Sequence, residues 1–256
     1  MVTNSLCVLI MAGGLGKRME SNMPKVLHSV LGKPMLVRVI ENALKLHPEK
    51  IYVIVGKYKS IIEETLVSFD VNKHVEYVIQ EEPRGTGHAI QCAHPFLLKH
   101  PQNLVLILSG DVPLLRSSTM EMLVHTHGDV CVLSSIVENP TGYGRIVMNE
   151  KTGLLKIVEE KDCNELERNI KEVNSGVYCF KCSALTNYLH LLENNNAQGE
   201  YYLTDMIEII QKNNESAVVD KLCLSVEQNV ELSGVNTKEQ LETLNLHILE
   251  SGYCFD

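Results

Sequence analysis

The feature that most constrains the fold is an alternation between short apolar runs and longer segments with helical spacing. Aliphatic and β-branched runs predict five buried strands, at residues 6–11, 51–55, 75–79, 104–108 and 130–137. The segments between them have apolar side chains at helical spacing and predict helices at residues 34–46, 61–66, 86–98 and 117–125. This order predicts parallel strands joined by right-handed crossovers, with helices on both faces of the sheet.

The pattern changes after residue 137. Residues 145–148 and 155–159 flank a polar Asn-Glu-Lys-Thr-Gly turn and predict a β-hairpin. A further strand is predicted at residues 173–180 and a closing helix at residues 237–249. No linker, repeat or low-complexity tract interrupts the chain. We therefore expect one α/β domain over residues 1–256, with a mostly parallel mixed sheet and an inserted hairpin region.

Charge and composition narrow the classes of partner. The 256 residues carry a formal net charge of -9, which argues against binding to polymeric nucleic acid. A local basic loop can still bind a short anionic ligand. No apolar run approaches the ~18 residues that a membrane span needs, and no secretory signal is visible. We expect a cytoplasmic protein without membrane partners whose eight cysteines are free thiols.

Glycines follow the first predicted strand directly, in the run Ala-Gly-Gly-Leu-Gly-Lys-Arg-Met at residues 12–19. Glycines at such a turn allow backbone amides to converge on an anion. Arg18 adds a planar donor fork that suits phosphate, and Lys25 is a second cation within reach. A Walker loop is excluded because Arg18 stands where Ser or Thr belongs. The dinucleotide fingerprint is excluded because Met19 replaces its third glycine. The alternative is an ordinary turn between a strand and a helix.

An acidic residue stands at the end of the fourth predicted strand, in the run Ser-Gly-Asp-Val-Pro at residues 109–113. Ligands of open α/β sheets bind beyond the carboxyl ends of the strands. Asp111 is therefore a candidate ligand for Mg²⁺, which takes one or two protein oxygens and completes its shell with phosphate and water. The alternative is a solvated aspartate in a turn.

Taken together, these motifs resemble those of the sugar-nucleotide pyrophosphorylases. The glycine run with Arg18, the pair Pro24 and Lys25, and the pair Gly110 and Asp111 carry the resemblance. Further matching segments lie at residues 80–89, 140–145, 157–162, 172–176, 194–205 and 234–236. Within the family, the sequence is most similar to the N-acetylglucosamine-1-phosphate uridylyltransferases. The run at residues 194–205 is the most particular to that subgroup.

The resemblance implies a Rossmann-like nucleotidyltransferase fold and a Mg²⁺-dependent reaction. UTP and N-acetylglucosamine 1-phosphate would give UDP-N-acetylglucosamine and pyrophosphate. The implied phosphate-binding catalytic residues are Arg18 and Lys25, and the implied nucleotide-binding residues are Ala12, Gly13, Gly14, Gln80, Gly85 and Thr86. The implied sugar-binding residues are Gly144, Glu159 and Asn174, and the implied Mg²⁺ ligands are Asp111 and Asn236. Gln80 would read uracil, because its carboxamide can both donate and accept.

The sequence also departs from the family pattern. Lys17 stands where the family usually has Thr, and Ser109 where the nearest relatives usually have Tyr. The bifunctional relatives continue into a β-helix of hexapeptide repeats, which this sequence lacks. We therefore expect no acetyltransferase activity and no trimer contacts from a β-helix, and a monomer or small homo-oligomer.

Two other functions are open at this point. One is a pyrophosphorylase for another sugar 1-phosphate or base, and the other is a non-catalytic sensor of nucleotide sugars. The presence of Lys25, Asp111 and Asn236 favours catalysis.

Overall fold

A nine-stranded mixed sheet dominates the computed structural model, which describes residues 5–14, 16, 19, 21–149, 152–253 and 255. A separate two-stranded ribbon consists of β2 and β3. The strands are β1 (Leu6–Met11), β2 (Ser29–Val30), β3 (Lys33–Pro34), β4 (Lys50–Val55), β5 (Val75–Ile79), β6 (Leu104–Ser109), β7 (Val130–Ile136), β8 (Arg145–Met148), β9 (Leu155–Val158), β10 (Glu172–Lys181) and β11 (Val219–Leu224).

The strand order is β11-β7-β10-β6-β1-β4-β5. The pairs β1–β4, β1–β6, β4–β5 and β11–β7 are parallel, as the alternating sequence predicted. Strand β10 lies antiparallel between β6 and β7, so these two strands run in the same direction without touching. The predicted hairpin is β8–β9, and it joins the sheet where Arg145 pairs with Val173 of β10. The mostly parallel mixed sheet with an inserted hairpin is therefore confirmed.

Helices connect the strands. They are α1 (Met35–Leu44), α2 (Lys59–Ser68), α3 (Thr86–Leu97), α4 (Ser117–Val124), α5 (Glu165–Arg168), α6 (Cys182–Tyr188), α7 (Asp205–Asn213) and α8 (Lys238–Ser251). Short 3-10 helices lie at Lys25–Leu27, Asn72–His74, Leu189–Leu191 and Val226–Leu232. The five predicted helices correspond to α1, α2, α3, α4 and α8. The sequence pattern did not predict α5, α6, α7 or β11.

Both faces of the sheet are covered. In β1, Val8 and Ile10 pack on one face with Ile40 of α1. Cys7 and Leu9, which alternate with them, pack on the other face with helix α3. A third apolar cluster holds α8 through Leu244 and Ile248. The two-sided burial explains why the parallel strands are continuously apolar. It leaves the carboxyl ends of β1 and β6 side by side, where Met11 pairs with Ser109.

The seven cysteines among the described residues are free thiols. Burial raises the pKa of Cys131 to about 11 and that of Cys179 to about 12, so both stay protonated at neutral pH. In the part of the chain that the structure describes, no helix is long and apolar enough to cross a bilayer.

Candidate active site

Two adjoining cavities open at the carboxyl edge of the sheet. The first, here called the glycine-loop cavity, measures about 270 Å³. Its wall includes seven of the predicted residues: Gly13, Gly14, Lys25, Gln80, Gly85, Thr86 and Asp111. The second, here called the hairpin cavity, measures about 260 Å³, and its wall includes Gly144, Glu159, Asn174 and Asn236. Both cavities are lined by Met11, Thr86, Ser109 and Asp111, so Asp111 lies where they meet.

The first loop brings backbone rather than side chains to the glycine-loop cavity. The amide of Ala12 donates to Ile54 O at 2.8 Å, and the residue is only 2% exposed, so Ala12 prolongs the sheet behind the cavity wall. Gly16 has a φ of +55°, and a Cβ there would lie 2.8 Å from the Cβ of Lys25. A glycine is therefore required for the loop to pass Lys25. Lys17 and Arg18, including the predicted phosphate contact of Arg18, lie outside the described residues.

The segment after β5 forms another wall of the glycine-loop cavity. Gln80 continues the β5 ladder through its backbone, and its Nε2 donates to Gly85 O at 3.1 Å. Gly85 has a φ of +110°, and a Cβ there would lie 2.5 Å from Tyr201 O. The hydroxyl of Thr86, the first residue of α3, accepts from Leu203 N at 3.0 Å. These contacts hold residues 80–86 against residues 201–203, which lie more than a hundred positions later in the sequence.

Three polar side chains converge where the two cavities meet. Lys25 forms an ion pair with Asp111, and its Nζ donates to Asn236 Oδ1 at 2.9 Å. Ser109 Oγ donates to the other carboxylate oxygen of Asp111 at 2.5 Å. The backbone also ties the last segment in place, because Val235 N donates to Asp111 O at 3.1 Å. The structure therefore brings together Lys25, Asp111 and Asn236, which are far apart in sequence.

The oxygens of Asp111 and Asn236 fit a hard divalent cation. Both contact the same ammonium group, so they face one common point at the junction of the cavities. A carboxylate and an amide oxygen are ligands that Mg²⁺ accepts, with phosphate and water completing its shell. Among the described residues, no group of three or more His, Cys, Asp or Glu side chains could hold a metal. The donor set therefore suits Mg²⁺ held partly by a ligand, not a closed protein cage.

The hairpin cavity presents hydrogen-bonding groups from three segments. Glu159, just after β9, accepts from Thr204 Oγ1 at 3.0 Å. Asn174 of β10 donates through Nδ2 to Tyr178 OH at 2.7 Å, and its backbone amide donates to Gly144 O at 2.8 Å. Burial raises the pKa of Glu159, and the bond from Thr204 offsets part of that rise. The cavity therefore holds a largely buried carboxylate beside a backbone surface at Gly144.

A buried guanidinium fixes the loop at the mouth of the hairpin cavity. Arg145 is 1% exposed, and its Nη2 donates to Glu160 Oε2 at 2.6 Å. The same oxygen accepts from Gly142 N at 3.1 Å, and Arg145 Nη1 donates to Tyr143 O. The Arg145 partner lowers the pKa of Glu160, so the pair stays ionised. Gly142 and Tyr143 are thereby each anchored by one hydrogen bond.

Several residues at the site were not predicted. Tyr178 lies in an apolar strand and has the sequence signature of a core residue. Thr204 lies inside the matching run at residues 194–205, but its bond to Glu159 joins positions that are 45 apart. His88 lies in the matching run at residues 80–89, and its ring contacts Gln80 at 3.2 Å. The matching runs were the only signal that could have indicated Thr204 and His88.

Comparison with known proteins decides the family. Residues 7–222 match the family described as Nucleotidyl transferase. The chain belongs to the nucleotidyl transferase family. The matched residues include the glycine run and the β8–β9 hairpin, and they end before Gly234 and Asn236 of the hairpin cavity.

Relatives within the nucleotidyl transferases are similar over most of the chain. A "Probable UDP-N-acetylglucosamine pyrophosphorylase" from Acanthamoeba polyphaga mimivirus is 40% identical over 94% of this chain and 95% of its own length. The "Bifunctional protein GlmU" of Clostridium botulinum strain 657 is 44% identical over 92% of this chain. The aligned part of this chain covers 50% of that protein, so the chain spans about half the length of its bifunctional relatives.

A solved structure supports the fold alone. It is a "Putative Glucose-1-Phosphate Thymidylyltransferase" from Bacillus anthracis, in complex with a sucrose. The superposition has a TM-score of 0.72 and covers 98% of both chains, although the sequences are 18% identical. The Rossmann-like nucleotidyltransferase architecture is therefore confirmed.

Proposed function

We propose that the chain transfers the uridylyl group of UTP to N-acetylglucosamine 1-phosphate, giving UDP-N-acetylglucosamine and pyrophosphate. The observation that carries this proposal is the pair of cavities that meet at Lys25, Asp111 and Asn236. A nucleotidyl transfer needs two anionic substrates side by side and a positive centre between them. The names of the mimiviral and clostridial relatives support this choice of base and sugar.

The glycine-loop cavity suits the nucleotide. Gly13 and Gly14 line it without side chains, so a triphosphate can approach the backbone closely. Gln80 and Thr86 line the same cavity and offer hydrogen-bonding groups to a base. Lys25 stands at its inner end, where the α-phosphate would meet the second substrate.

The hairpin cavity suits the sugar phosphate. The Glu159 carboxylate can accept hydrogen bonds from sugar hydroxyls, and it is already oriented by Thr204. Asn174 contributes an amide, and Gly144 allows a ring to lie against bare backbone. The cavity opens toward Asp111, so a phosphate on the sugar would point at the junction.

The reaction requires neutralisation of the negative charge on the phosphates rather than transfer of a proton. An oxygen of the sugar phosphate forms a new bond to the α-phosphorus, and the bond from that phosphorus to the bridging oxygen of pyrophosphate breaks. The nucleophile is already anionic, so no general base is needed. Lys25 would neutralise the phosphoryl oxygens as charge shifts to the leaving group. Arg18, outside the described residues, stays the predicted second cation of this clamp.

Asp111 and Asn236 would hold Mg²⁺ at the junction of the cavities. When bound, the ion supplies positive charge that offsets the negative charge of the phosphates. Ser109 orients the Asp111 carboxylate through its hydroxyl, in place of the tyrosine of the nearest relatives. Lys25 contacts the same two side chains, so the ammonium group and the ion would share one patch of negative potential.

The decisive experiment measures pyrophosphate release with Mg²⁺, UTP and a panel of sugar 1-phosphates. Release that requires UTP and is fastest with N-acetylglucosamine 1-phosphate would establish reaction, base and sugar together. Release with another pair would keep the mechanism and change the specificity. No release from folded protein with any pair would favour a non-catalytic sensor. Three expectations from the sequence stay predictions. They are a single domain over residues 1–256, a cytoplasmic location, and a monomer or small homo-oligomer as the oligomeric state.

A further inference from the structure

The carboxamide of Gln80 is held by two protein groups. Its Nε2 lies 3.1 Å from Gly85 O and 3.2 Å from His88 Nδ1. A carbonyl oxygen can only accept, so the nitrogen of the carboxamide must face Gly85. The hydrogen bond to Gly85 O therefore favours the orientation in which the carboxamide nitrogen, and not its oxygen, faces Gly85.

The same nitrogen determines the state of the His88 ring. Because Gln80 Nε2 is a donor, His88 Nδ1 must accept its second hydrogen. The ring is then neutral, with its proton on Nε2, which lies 3.9 Å from Cys92 Sγ. Both N–H bonds of the Gln80 carboxamide are thus used within the protein.

The oxygen of the carboxamide is left for a ligand. Among the described residues, no group donates to Gln80 Oε1. This oxygen would lie 3.4 Å from a Cβ added to Gly13, which places it beside the first loop on the wall of the glycine-loop cavity. In this arrangement Gln80 presents an acceptor to the cavity, and both of its N–H bonds point to protein groups.

We infer that His88 is a specificity-determining positioning residue, which makes Gln80 an acceptor-only reader of the nucleotide base. This inference rests on the proposed function, since it concerns the nucleotide in the glycine-loop cavity. Uracil carries an N3–H that can donate to Gln80 Oε1, whereas N3 of cytosine is an acceptor and would be repelled. His88 acts on this choice through Gln80, without contacting the base itself.

A change at His88 that removes the acceptor should alter base choice. In His88→Leu one of the two acceptors that hold the carboxamide nitrogen is lost. The carboxamide can then turn over at the cost of its one remaining bond, to Gly85 O, and donate an N–H to cytosine N3. His88→Asn is the matched conservative variant, because the asparagine oxygen can replace Nδ1 as the acceptor. Cys92→Ala is the control, since it removes the neighbour of the ring without touching the contact with Gln80.

The experiment compares kcat/KM for UTP and CTP with one sugar 1-phosphate, alongside equilibrium binding of UMP and CMP. We expect the preference for uridine to fall about tenfold in His88→Leu, as for the loss of one hydrogen bond. The preference should be kept in His88→Asn and Cys92→Ala, and the KM of the sugar phosphate should not change in any of the three. If His88 had only a structural role, His88→Leu would lower kcat/KM for UTP and CTP equally and would also change the KM of the sugar phosphate.

Two results would overturn the inference while the proposed function stands. One is an unchanged preference for uridine in folded His88→Leu, and the other is an equal loss in His88→Leu and His88→Asn. A wild-type protein with no preference for uridine would overturn both proposals. The ¹⁵N shifts of the wild-type His88 ring give a test without variants. They should show a protonated Nε2 and a bare Nδ1, and the opposite tautomer would refute the proposed contact.

Discussion

The two cavities that meet at Asp111 are built in different ways. The glycine-loop cavity is lined mainly by residues at or after the ends of β1, β5 and β6, and it includes the cation Lys25. The hairpin cavity is lined by β10, by the segment after β9 and by the loop before α7, and it presents the polar side chains of Asn174, Glu159 and Thr204. The difference suits the two substrates, because phosphates bind to amides and cations, whereas a sugar needs acceptors for its hydroxyls.

The charges of the two cavities also differ. Lys25 lines the glycine-loop cavity together with Asp111 and Glu200. Among the described residues, no lysine or arginine lines the hairpin cavity, and Asp162 and Asp205 lie near its Glu159. Burial raises the pKa of Asp205 to about 6, and the neighbouring carboxylates of Glu159 and Asp162 add to that rise. A neutral part of a substrate tolerates such an acidic wall, but a phosphate does not. In the proposed reaction, this contrast would orient the anionic end of the sugar phosphate toward Lys25.

The largest effect should come from removing the cation at the junction. Lys25→Met leaves the phosphoryl charge without its ammonium partner, and we expect turnover to fall about a thousandfold. Lys33→Met is the matched control, because Lys33 forms an ion pair with Glu41 on the surface. Steady-state pyrophosphate release measures both variants. A Lys25→Met enzyme with turnover near that of the control would remove Lys25 from the chemistry.

A smaller but more specific effect should follow Asp111→Asn. The amide is a weaker ligand for Mg²⁺, so we expect turnover about a hundredfold lower and half-saturation at a higher Mg²⁺ concentration. Asp70→Asn, which alters an exposed pair with Lys73, is the control. A Mg²⁺ titration of the rate compares the three proteins. An unshifted titration curve would contradict the assignment of Asp111 as a metal ligand.

Glu159→Gln tests whether the two cavities bind different substrates. The uncharged amide is a weaker acceptor for hydroxyls, so the KM of the sugar phosphate should rise about tenfold while the KM of UTP stays unchanged. Glu41→Gln provides a surface control. Equal changes in both KM values would show that the cavities do not divide the substrates as proposed.

Because the pKa of Glu159 is raised, the KM of the sugar phosphate should depend on pH. The carboxylate is protonated on acidification sooner than an ordinary glutamate, so the KM of the sugar phosphate should begin to rise at a higher pH than the titration of an ordinary glutamate would give. The rise should be smaller in Glu159→Gln. Identical pH profiles for the two proteins would argue against ionised Glu159 as the acceptor.

The smallest effect concerns stability. The pKa of Asp205 is about 6 in the folded protein, so its proton is held more tightly than in the unfolded chain. Its contribution to folding is therefore largest at low pH and is lost as the pH rises through about 6. Asp205→Asn should raise the free energy of unfolding by about 1 kcal/mol near pH 7.5, after allowance for partial exposure, and by less near pH 4.

Urea unfolding at both pH values measures the effect of Asp205→Asn. Glu63→Gln, in an exposed pair with Lys59, serves as the control. A gain in stability at low pH but not at neutral pH would reverse the expected order and exclude the buried-carboxylate explanation.

The sequence predicted the glycine-loop side of this comparison better than the hairpin side. Strands β1, β4, β5 and β6 are short apolar runs, and each ends at a turn that the local residues specify. Because such signals are contained within a few residues, the loops after these strands could be placed from the sequence. The positions of Gly13, Gln80 and Asp111 around one cavity follow from the parallel order.

The hairpin side depends on contacts that no local pattern encodes. Strand β10 was predicted, but its insertion between β6 and β7 follows from packing of the whole sheet. The bond from Thr204 to Glu159 and the contact of Lys25 with Asn236 join distant segments. Only the resemblance to a family indicated Asn236, because a single asparagine in a Gly-Val-Asn sequence has no metal-binding signature of its own.

The place of β10 has a consequence for synthesis on the ribosome. Strands β1, β4, β5 and β6 can associate early, but β6 then keeps an open edge until residues 172–181 have left the exit tunnel. Strand β7 leaves the tunnel before β10 and cannot join the sheet until β10 arrives beside it. Asn236 follows later still. A nascent chain would therefore complete its central sheet only after β10 has been translated, and the contact of Lys25 with Asn236 only after residue 236.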